Sequence, residues 1–154
     1  EGFGFETHSV KFRKKAWEDA LAAAGIGIDP ALIRDGRYDP AAAYTETRAL
    51  LSMTDRPTAI LYYSDTMALA GIRAAADLGL SVPGDLSVVG YDNLPIDDLS
   101  VPRLTSVNQM SCQIGRDMME RLIERIASPG LESLVRSYPQ DLVVRESTGK
   151  PPSR

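Results

Sequence analysis

Two spacings of apolar residues alternate along the chain. Apolar side chains at helical spacing predict α-helices, and short continuous apolar runs predict buried strands. The predicted helices cover residues 11–24, 40–53, 66–78 and 111–127, with a short helical turn at 30–34. The predicted strands cover 58–63, 86–91 and 140–146, and 103–109 is expected to be extended. Strand, helix and strand joined by short loops form a βαβ unit, so the first two strands should be parallel and the fold class is α/β.

Local sequence signals mark the ends of several of these elements. Asp29-Pro30 and Asp39-Pro40 each place a capping carboxylate before a proline, which is a favoured way to begin a helix. Gly25 and Gly79 close the first and third helices. Pro95 and Pro102 bracket a segment that we expect to be a loop.

Composition and charge suit one domain of ordinary size and disfavour direct nucleic-acid binding. The chain has 154 residues, 44% hydrophobic and 25% charged, with a net charge of -4. Its basic residues form one short cluster, which consists of Lys11, Arg13, Lys14 and Lys15. The chain by itself is therefore not expected to hold DNA well. Because it does not begin with Met, we interpret it as a fragment or a processed form.

Few residues are suited to binding a metal or forming a disulfide. The single cysteine, Cys112, excludes a disulfide framework, and we expect it to be a small core residue. With His8 as the only histidine, a histidine-based metal site is disfavoured, and no cofactor is predicted. No apolar run approaches the roughly 20 residues of a membrane helix, so no membrane partner is expected.

Short polar side chains follow two strands of the predicted sheet. Tyr63-Ser64-Asp65 ends the first strand and Tyr91-Asp92-Asn93 ends the second. Ligands of open parallel sheets bind beyond the carboxyl ends of the strands. A carboxylate there can accept hydrogen bonds from neighbouring hydroxyls, which suits a sugar or a nucleoside. Asp65 itself is interpreted as a helix N-cap, hence structural.

The chain resembles the LacI/GalR family of bacterial transcription regulators over most of residues 10–148. The motifs that carry this resemblance are Pro57-Thr-Ala-Ile60, Ser64-Asp-Thr-Met-Ala-Leu-Ala-Gly71, the run from Gly79 to Gln109, and Leu142-Val-Val-Arg-Glu-Ser-Thr148. The resemblance implies a periplasmic-binding-protein-like fold of type I, mostly its C-terminal lobe. Residues 1–102 would form that lobe, 103–130 would cross to the N-terminal lobe, 131–148 would return, and 149–154 would be a tail. The family's DNA-binding headpiece, its hinge and most of its first lobe have no counterpart here.

The resemblance also implies effector contacts, residue by residue. The family's cleft aspartate falls on Asp92, its cleft arginine on Arg13 and its aromatic cover on Tyr38. Ser64 stands where the family usually has asparagine, which could alter the effector that fits. By the same resemblance, residues 66–72 and 94–101 are candidates for a dimer contact, with Met67, Leu69, Leu94 and Leu99 as its proposed members.

The helix at 111–127 carries a broad apolar stripe, formed by Ile114, Met118, Leu122 and Ile126 with Met119 and Ile123 beside them. Such a stripe is normally buried. In the family this helix packs on the first lobe. We therefore expect it to meet a second chain or to fold onto its own lobe.

These observations predict the effector-binding part of a cytoplasmic regulator. A small molecule, a sugar or related metabolite, would bind between the lobes, and a homodimer would reach operator DNA through the missing headpiece. The sugar receptor of an ABC transporter shares the fold and is the alternative. An enzyme is disfavoured: His8 and Ser9 are adjacent and unsuited to a catalytic triad, and Asp97-Asp98 is expected to be a solvated pair.

Overall fold

A computed structural model describes residues 8–152. The chain divides into two compact units, residues 1–35 and 36–154. The first unit contains α1 (His8–Ala23) and a 3₁₀ turn (Pro30–Leu32). Asp29 caps this turn by accepting a hydrogen bond from the Ala31 amide at 2.8 Å, as its position before a proline predicts.

The second unit contains the sheet and the longer sequence motifs. Its helices are α2 (Pro40–Leu51), α3 (Asp65–Asp77) and α4 (Ser111–Ala127). Its strands are β1 (Ala59–Leu61), β2 (Ser87–Asp92), β3 (Thr105–Asn108) and β4 (Asp141–Val143). Each helix and strand was predicted, and each observed end lies within three residues of the predicted one. The predicted loop between Pro95 and Pro102 contains a 3₁₀ turn (Pro95–Asp98) that the sequence did not indicate.

The four strands form one sheet in the order β1-β2-β3-β4. β1 pairs with β2 in parallel, which confirms the predicted βαβ unit, and β3 is parallel to β2. β4 is antiparallel to β3, with Val107 opposite Leu142. The sheet is therefore mixed rather than wholly parallel, an arrangement that a short edge strand often produces.

The core lies where α3 packs against both α2 and β2. Gly71 permits this close packing, because a Cβ at that position would stand 2.0 Å from the Tyr62 hydroxyl. That hydroxyl shares a buried 2.7 Å hydrogen bond with Thr47 on α2. Burial raises the pKa of Tyr62 to about 12. The buried core residues are Ala43, Leu51, Tyr62, Met67, Ala68, Ile72, Ala75, Leu86, Val88 and Leu104.

Three side chains lie in surroundings that differ from those predicted. Cys112 is exposed rather than in the core, because it lies on α4, where no described residue is buried. Asp97 is fully buried, so the interpretation of Asp97-Asp98 as a solvated pair is wrong for its first member. Ser64, not Asp65, caps α3, and Asp65 is buried within the first turn. Local sequence could not indicate these surroundings, since distant segments create them.

The apolar stripe of α4 is exposed. Five of its members are more than half accessible: Met118, Met119, Leu122, Ile123 and Ile126. The expectation that this helix folds onto its own lobe is therefore wrong, while contact with a second chain stays a prediction. Among residues 8–152, no helix has the length and apolarity needed to cross a bilayer.

Candidate functional site

Three parallel strands end at one edge of the sheet, and predicted site residues follow two of them. Asp92 is the last residue of β2 and lies opposite Asn108, the last residue of β3. Ser64 follows β1 after two tyrosines. This edge is where parallel sheets bind small molecules.

The backbone at this edge has an unusual conformation. Asp92 has a φ of +127°, and the following Asn93 has a φ of +56°. Side-chain-bearing residues rarely adopt such angles, and they concentrate at functional sites. The described non-glycine residues with positive φ are Arg37, Tyr38, Asp92, Asn93 and Met110. Two of the four predicted effector contacts, Tyr38 and Asp92, therefore carry local backbone strain.

Gln109 is the contact of Asp92 that sequence reasoning missed. Its side-chain amide Nε2 donates a hydrogen bond to Oδ1 of Asp92. Gln109 directly follows β3, so the rule applied to the ends of β1 and β2 would have found it at the end of the third parallel strand. The pair presents a carboxylate acceptor beside an amide that can both donate and accept.

An aromatic pair includes Tyr63, which follows β1 at the same edge. The Tyr38 ring meets the Tyr63 ring edge to face, with centroids 6.2 Å apart and planes at 75°. Tyr38 remains 53% exposed. Such a pair combines an apolar surface with phenolic oxygens, a combination that suits amphipathic ligands. Tyr63 was predicted only as a strand end, and its contact with Tyr38 adds it to the candidate site.

Ser64 also stabilises the helix that follows it. Its hydroxyl accepts a hydrogen bond from the Met67 amide at 3.3 Å and lies 3.2 Å from the Thr66 hydroxyl. Its role as an effector contact stays a prediction. Arg13 lies on α1, in the first unit, and its role also stays a prediction.

Asp65 is buried, and its hydrogen bonds support this edge of the sheet. Asp65 accepts hydrogen bonds from the Ser106 hydroxyl at 2.6 Å and from the Leu94 amide at 2.9 Å. Its Oδ1 would be only 2.2 Å from a Cβ at position 90, which explains the glycine of the Gly90-Tyr-Asp92 motif. Asp65 therefore joins α3 both to β3 and to the loop after Asp92.

Arg145 also binds the loop that follows Asp92. Its side chain is only 10% exposed. Its guanidinium donates to Asn93 Oδ1 and to the Leu104 carbonyl, each at 2.8 Å, and to Asp98 at 2.7 Å. The segment after β4 is thus tied directly to the residues that follow Asp92.

The predicted dimer residues have different surroundings. Met67 is 6% exposed and belongs to the core of this chain, whereas Leu99 is 77% exposed. Leu69 packs partly buried against the core. Leu94 is half-buried, and its amide is the donor to Asp65. A dimer contact at these residues stays a prediction.

Within residues 8–152, no three His, Cys, Asp or Glu side chains gather in a way that could hold a metal ion. The family of periplasmic binding protein-like domains matches residues 5–148. The chain belongs to this family. The predicted periplasmic-binding-protein-like fold and the resemblance to LacI-type regulators are both confirmed.

Two solved structures and one curated relative show what this periplasmic binding protein-like domain resembles. An HTH-type transcriptional repressor PurR from Photobacterium profundum is 34% identical over 142 residues, which is 92% of this chain and 42% of that protein. A complex of the transcriptional regulator CelR with cellobiose is 34% identical, with a TM-score of 0.78 over 88% of this chain and 41% of that one. A putative LacI-family regulator from Sanguibacter keddieii is 31% identical, with a TM-score of 0.84 over 94% and 54%. The chain spans less than half the length of the curated relative.

Proposed function

We propose that this chain is the effector-binding part of a LacI-type transcription regulator that senses a sugar or related metabolite. The effector would bind at the sheet edge formed by Tyr38, Ser64 and Asp92. Arg13, on the first unit, is a separate proposed effector contact that rests on the family resemblance. The observation that carries the proposal is the strained Asp92 at the carboxyl end of β2, paired with the Gln109 amide. A sugar hydroxyl can donate to such a carboxylate and accept from such an amide.

Two observations support a sugar as the effector. The aromatic pair of Tyr38 and Tyr63 offers apolar surface beside the polar Asp92 and Gln109, and sugar rings carry both kinds of surface. The CelR relative, which is similar to this chain, was solved with cellobiose. The protein would act as a cytoplasmic homodimer and contact operator DNA through segments outside residues 1–154, with residues 103–130 crossing to a second lobe. It would bind its effector without transforming it.

A binding screen of the full-length protein tests this function. We expect at least one sugar of a panel that includes cellobiose to raise the unfolding temperature. At a hundredfold excess over its dissociation constant, a ligand of the native state adds about 2.7 kcal/mol of stability. The same sugar should change the affinity for a DNA fragment from upstream of the protein's own gene, measured by fluorescence anisotropy.

Two results would contradict the proposal separately. Absence of any stabilising sugar would reject the effector class. Absence of DNA binding, with sugar binding intact, would reject the regulator and favour a transport receptor.

A further inference from the structure

The buried carboxyl group of Asp97 has no conventional partner. Asp97 is 0% exposed, and neither of its carboxyl oxygens has a hydrogen-bond partner within residues 8–152. The nearest cationic atom is Nη1 of Arg145, 4.0 Å from Oδ2, which is too far for a hydrogen bond. A buried carboxylate without donors is strongly disfavoured, whereas a buried neutral acid requires only one acceptor.

That acceptor is the carboxylate of Asp65. Asp65 lies in the first turn of α3 and Asp97 in the 3₁₀ turn after β2, and the Asp65 side chain is within hydrogen-bonding reach of the Asp97 carboxyl group. Both hydrogen bonds that Asp65 makes, to the Ser106 hydroxyl and to the Leu94 amide, use it as an acceptor. Each of its oxygens keeps a second lone pair that could receive a proton donor.

Arg145 does not neutralise the carboxyl groups of both Asp65 and Asp97. Four of its five N–H donors go to Asp98, Asn93 and the Leu104 carbonyl, and its Nη1 stays 4.0 Å from Asp97 Oδ2. Asp98, the other acid of this turn, has an exposed side chain and takes the 2.7 Å ion pair with Arg145. The charged groups that act on Asp97 are therefore Asp65 on α3 and Arg145 after β4.

We propose that Asp97 is a positioning residue, which at mildly acidic pH is protonated, donates its carboxyl proton to Asp65 and thereby holds the loop that begins at Asp92. The proton joins α3 to the turn at 95–98 in addition to the bond from the Leu94 amide. Asn93 and Leu94 lie between that turn and Asp92, so the Asp97 carboxyl group constrains the backbone of the candidate site. Loss of the proton leaves two buried carboxylates in repulsion and removes this constraint.

The electrostatics agree with this arrangement. Burial, then the neighbouring Asp65, raises the pKa of Asp97 to about 7. Arg145 and the nearby Leu94 amide, whose hydrogen bond goes to Asp65, oppose the rise more weakly. The unfolded chain loses this proton near pH 4, the usual range for aspartate. Between about pH 4 and 7 the folded state therefore holds one proton more than the unfolded state. Its stability must fall as the pH rises through this window and level off above it.

Carboxyl carbon NMR of the full-length protein, labelled with ¹³C at aspartate, tests the proton directly. We expect the Asp97 resonance, assigned by through-bond correlation to its own amide, to titrate with a midpoint near 7. The amide resonances of Asp92 and Asn93 should shift with the same midpoint. A midpoint near 4 would overturn the protonated state, and unshifted Asp92 and Asn93 amides would overturn the positioning role. Neither result bears on whether the protein binds a sugar, so this inference and the proposed function can fail separately.

The free energy of unfolding, measured at several pH values, compares the wild type with two variants. Asp97→Asn keeps an N–H donor for Asp65 but has no proton to lose, so between about pH 5 and 6 it should lack the one-proton slope of the wild type. Asp98→Asn, which removes the adjacent exposed acid, should change stability while keeping the wild-type slope. Equal slopes for the wild type and Asp97→Asn would overturn the proposal. If Asp97→Asn does not fold, the carbon titration of the wild type decides alone.

Discussion

Among the residues of the candidate site, Asp92 combines several unusual features. It ends a parallel strand, has a φ of +127° and accepts a hydrogen bond from Gln109. Backbone strain of this kind costs on the order of 1–3 kcal/mol and persists only where surrounding contacts hold it. Asp65 and Arg145 supply such contacts, because both bind the residues that immediately follow Asp92.

Removing the Asp92 carboxylate should therefore weaken effector binding. Hydrogen bonds to a charged group are worth about 1.5–3 kcal/mol. We expect Asp92→Ala to lower the affinity by roughly one to two orders of magnitude, measured calorimetrically with a sugar found in the screen. Asp55→Ala is the control, since this exposed residue precedes β1 at the opposite end of the strand. Binding by Asp92→Ala within about threefold of the wild type would argue against an effector contact.

The guanidinium of Arg13 is a second proposed effector contact. A planar guanidinium can hold two ligand oxygens at once, and a lysine ammonium cannot. Arg13→Lys should therefore raise the dissociation constant, whereas Lys14→Ala should leave it unchanged, because Lys14 is exposed and paired with Glu18. Normal calorimetric binding by both variants would mean that Arg13 is a surface charge.

The residues differ in how far sequence could assign them. Asp29 and Asp39 were predicted correctly as caps because the amides they bind are two and three residues away. The interpretation of Asp65 failed because its donors, Leu94 and Ser106, are 29 and 41 residues away. Asp97 and Asp98 are adjacent in sequence, yet one is buried and the other ion-paired at the surface. Only the folded arrangement of the surrounding segments distinguishes them.

Helix ends, strand positions and the parallel direction of the first two strands could be predicted, while the direction of the last strand could not. Capping residues and apolar spacing lie within each element, so α2 begins at the predicted Pro40 and α4 has its predicted bounds. The βαβ connection also made the parallel pairing of β1 and β2 predictable. β4 returns after α4 and a long irregular stretch, and no local signal in that stretch determines its antiparallel direction.

One glycine substitution, Gly90→Ala, tests how closely α3 approaches β2. A Cβ at Gly90 would meet Asp65 Oδ1 at 2.2 Å and Leu104 Cδ2 at 2.9 Å, so Gly90→Ala must displace the carboxylate. Overpacking of this kind typically costs about 1–3 kcal/mol. We expect Gly90→Ala to lower the free energy of unfolding by that amount in urea titrations.

Gly115→Ala is the matched control for this prediction. Gly115 lies within α4, and a Cβ there would meet no atom within 4 Å. Alanine in an open helical position should stabilise the fold by about 0.4–1 kcal/mol. Similar effects at the two positions would show that the Asp65 carboxylate moves away from position 90 at little cost.

At the scale of the whole molecule, the candidate site is assembled from distant parts of the second unit. Tyr38 precedes α2, Ser64 begins α3, Asp92 ends β2 and Gln109 follows β3. The parallel pairing of the first three strands brings the ends of β1, β2 and β3 to one edge. Sequence reasoning could predict this edge from the strand ends, but the Tyr38–Tyr63 and Gln109–Asp92 contacts depend on packing between separate elements.

The exposed apolar stripe of α4 is a surface that a second copy of the chain could cover. Its five exposed apolar side chains, each 52–70% accessible, form one broad face. Burying such a side chain fully is worth roughly 1.5–3 kcal/mol, so a second copy that covers this face would be stabilised substantially. We expect the 154-residue chain to self-associate in sedimentation velocity experiments, and Met118→Glu to shift it toward the monomer.

Gln113→Glu serves as the control, because it adds the same charge at an exposed polar position of α4. It should leave the distribution of species unchanged, since Gln113 lies outside the apolar face. Association that weakens equally in both variants would indicate a general charge effect. A wild-type monomer that Met118→Glu does not change would show that the face is stable in water, and contact with a second chain through α4 would have to be abandoned.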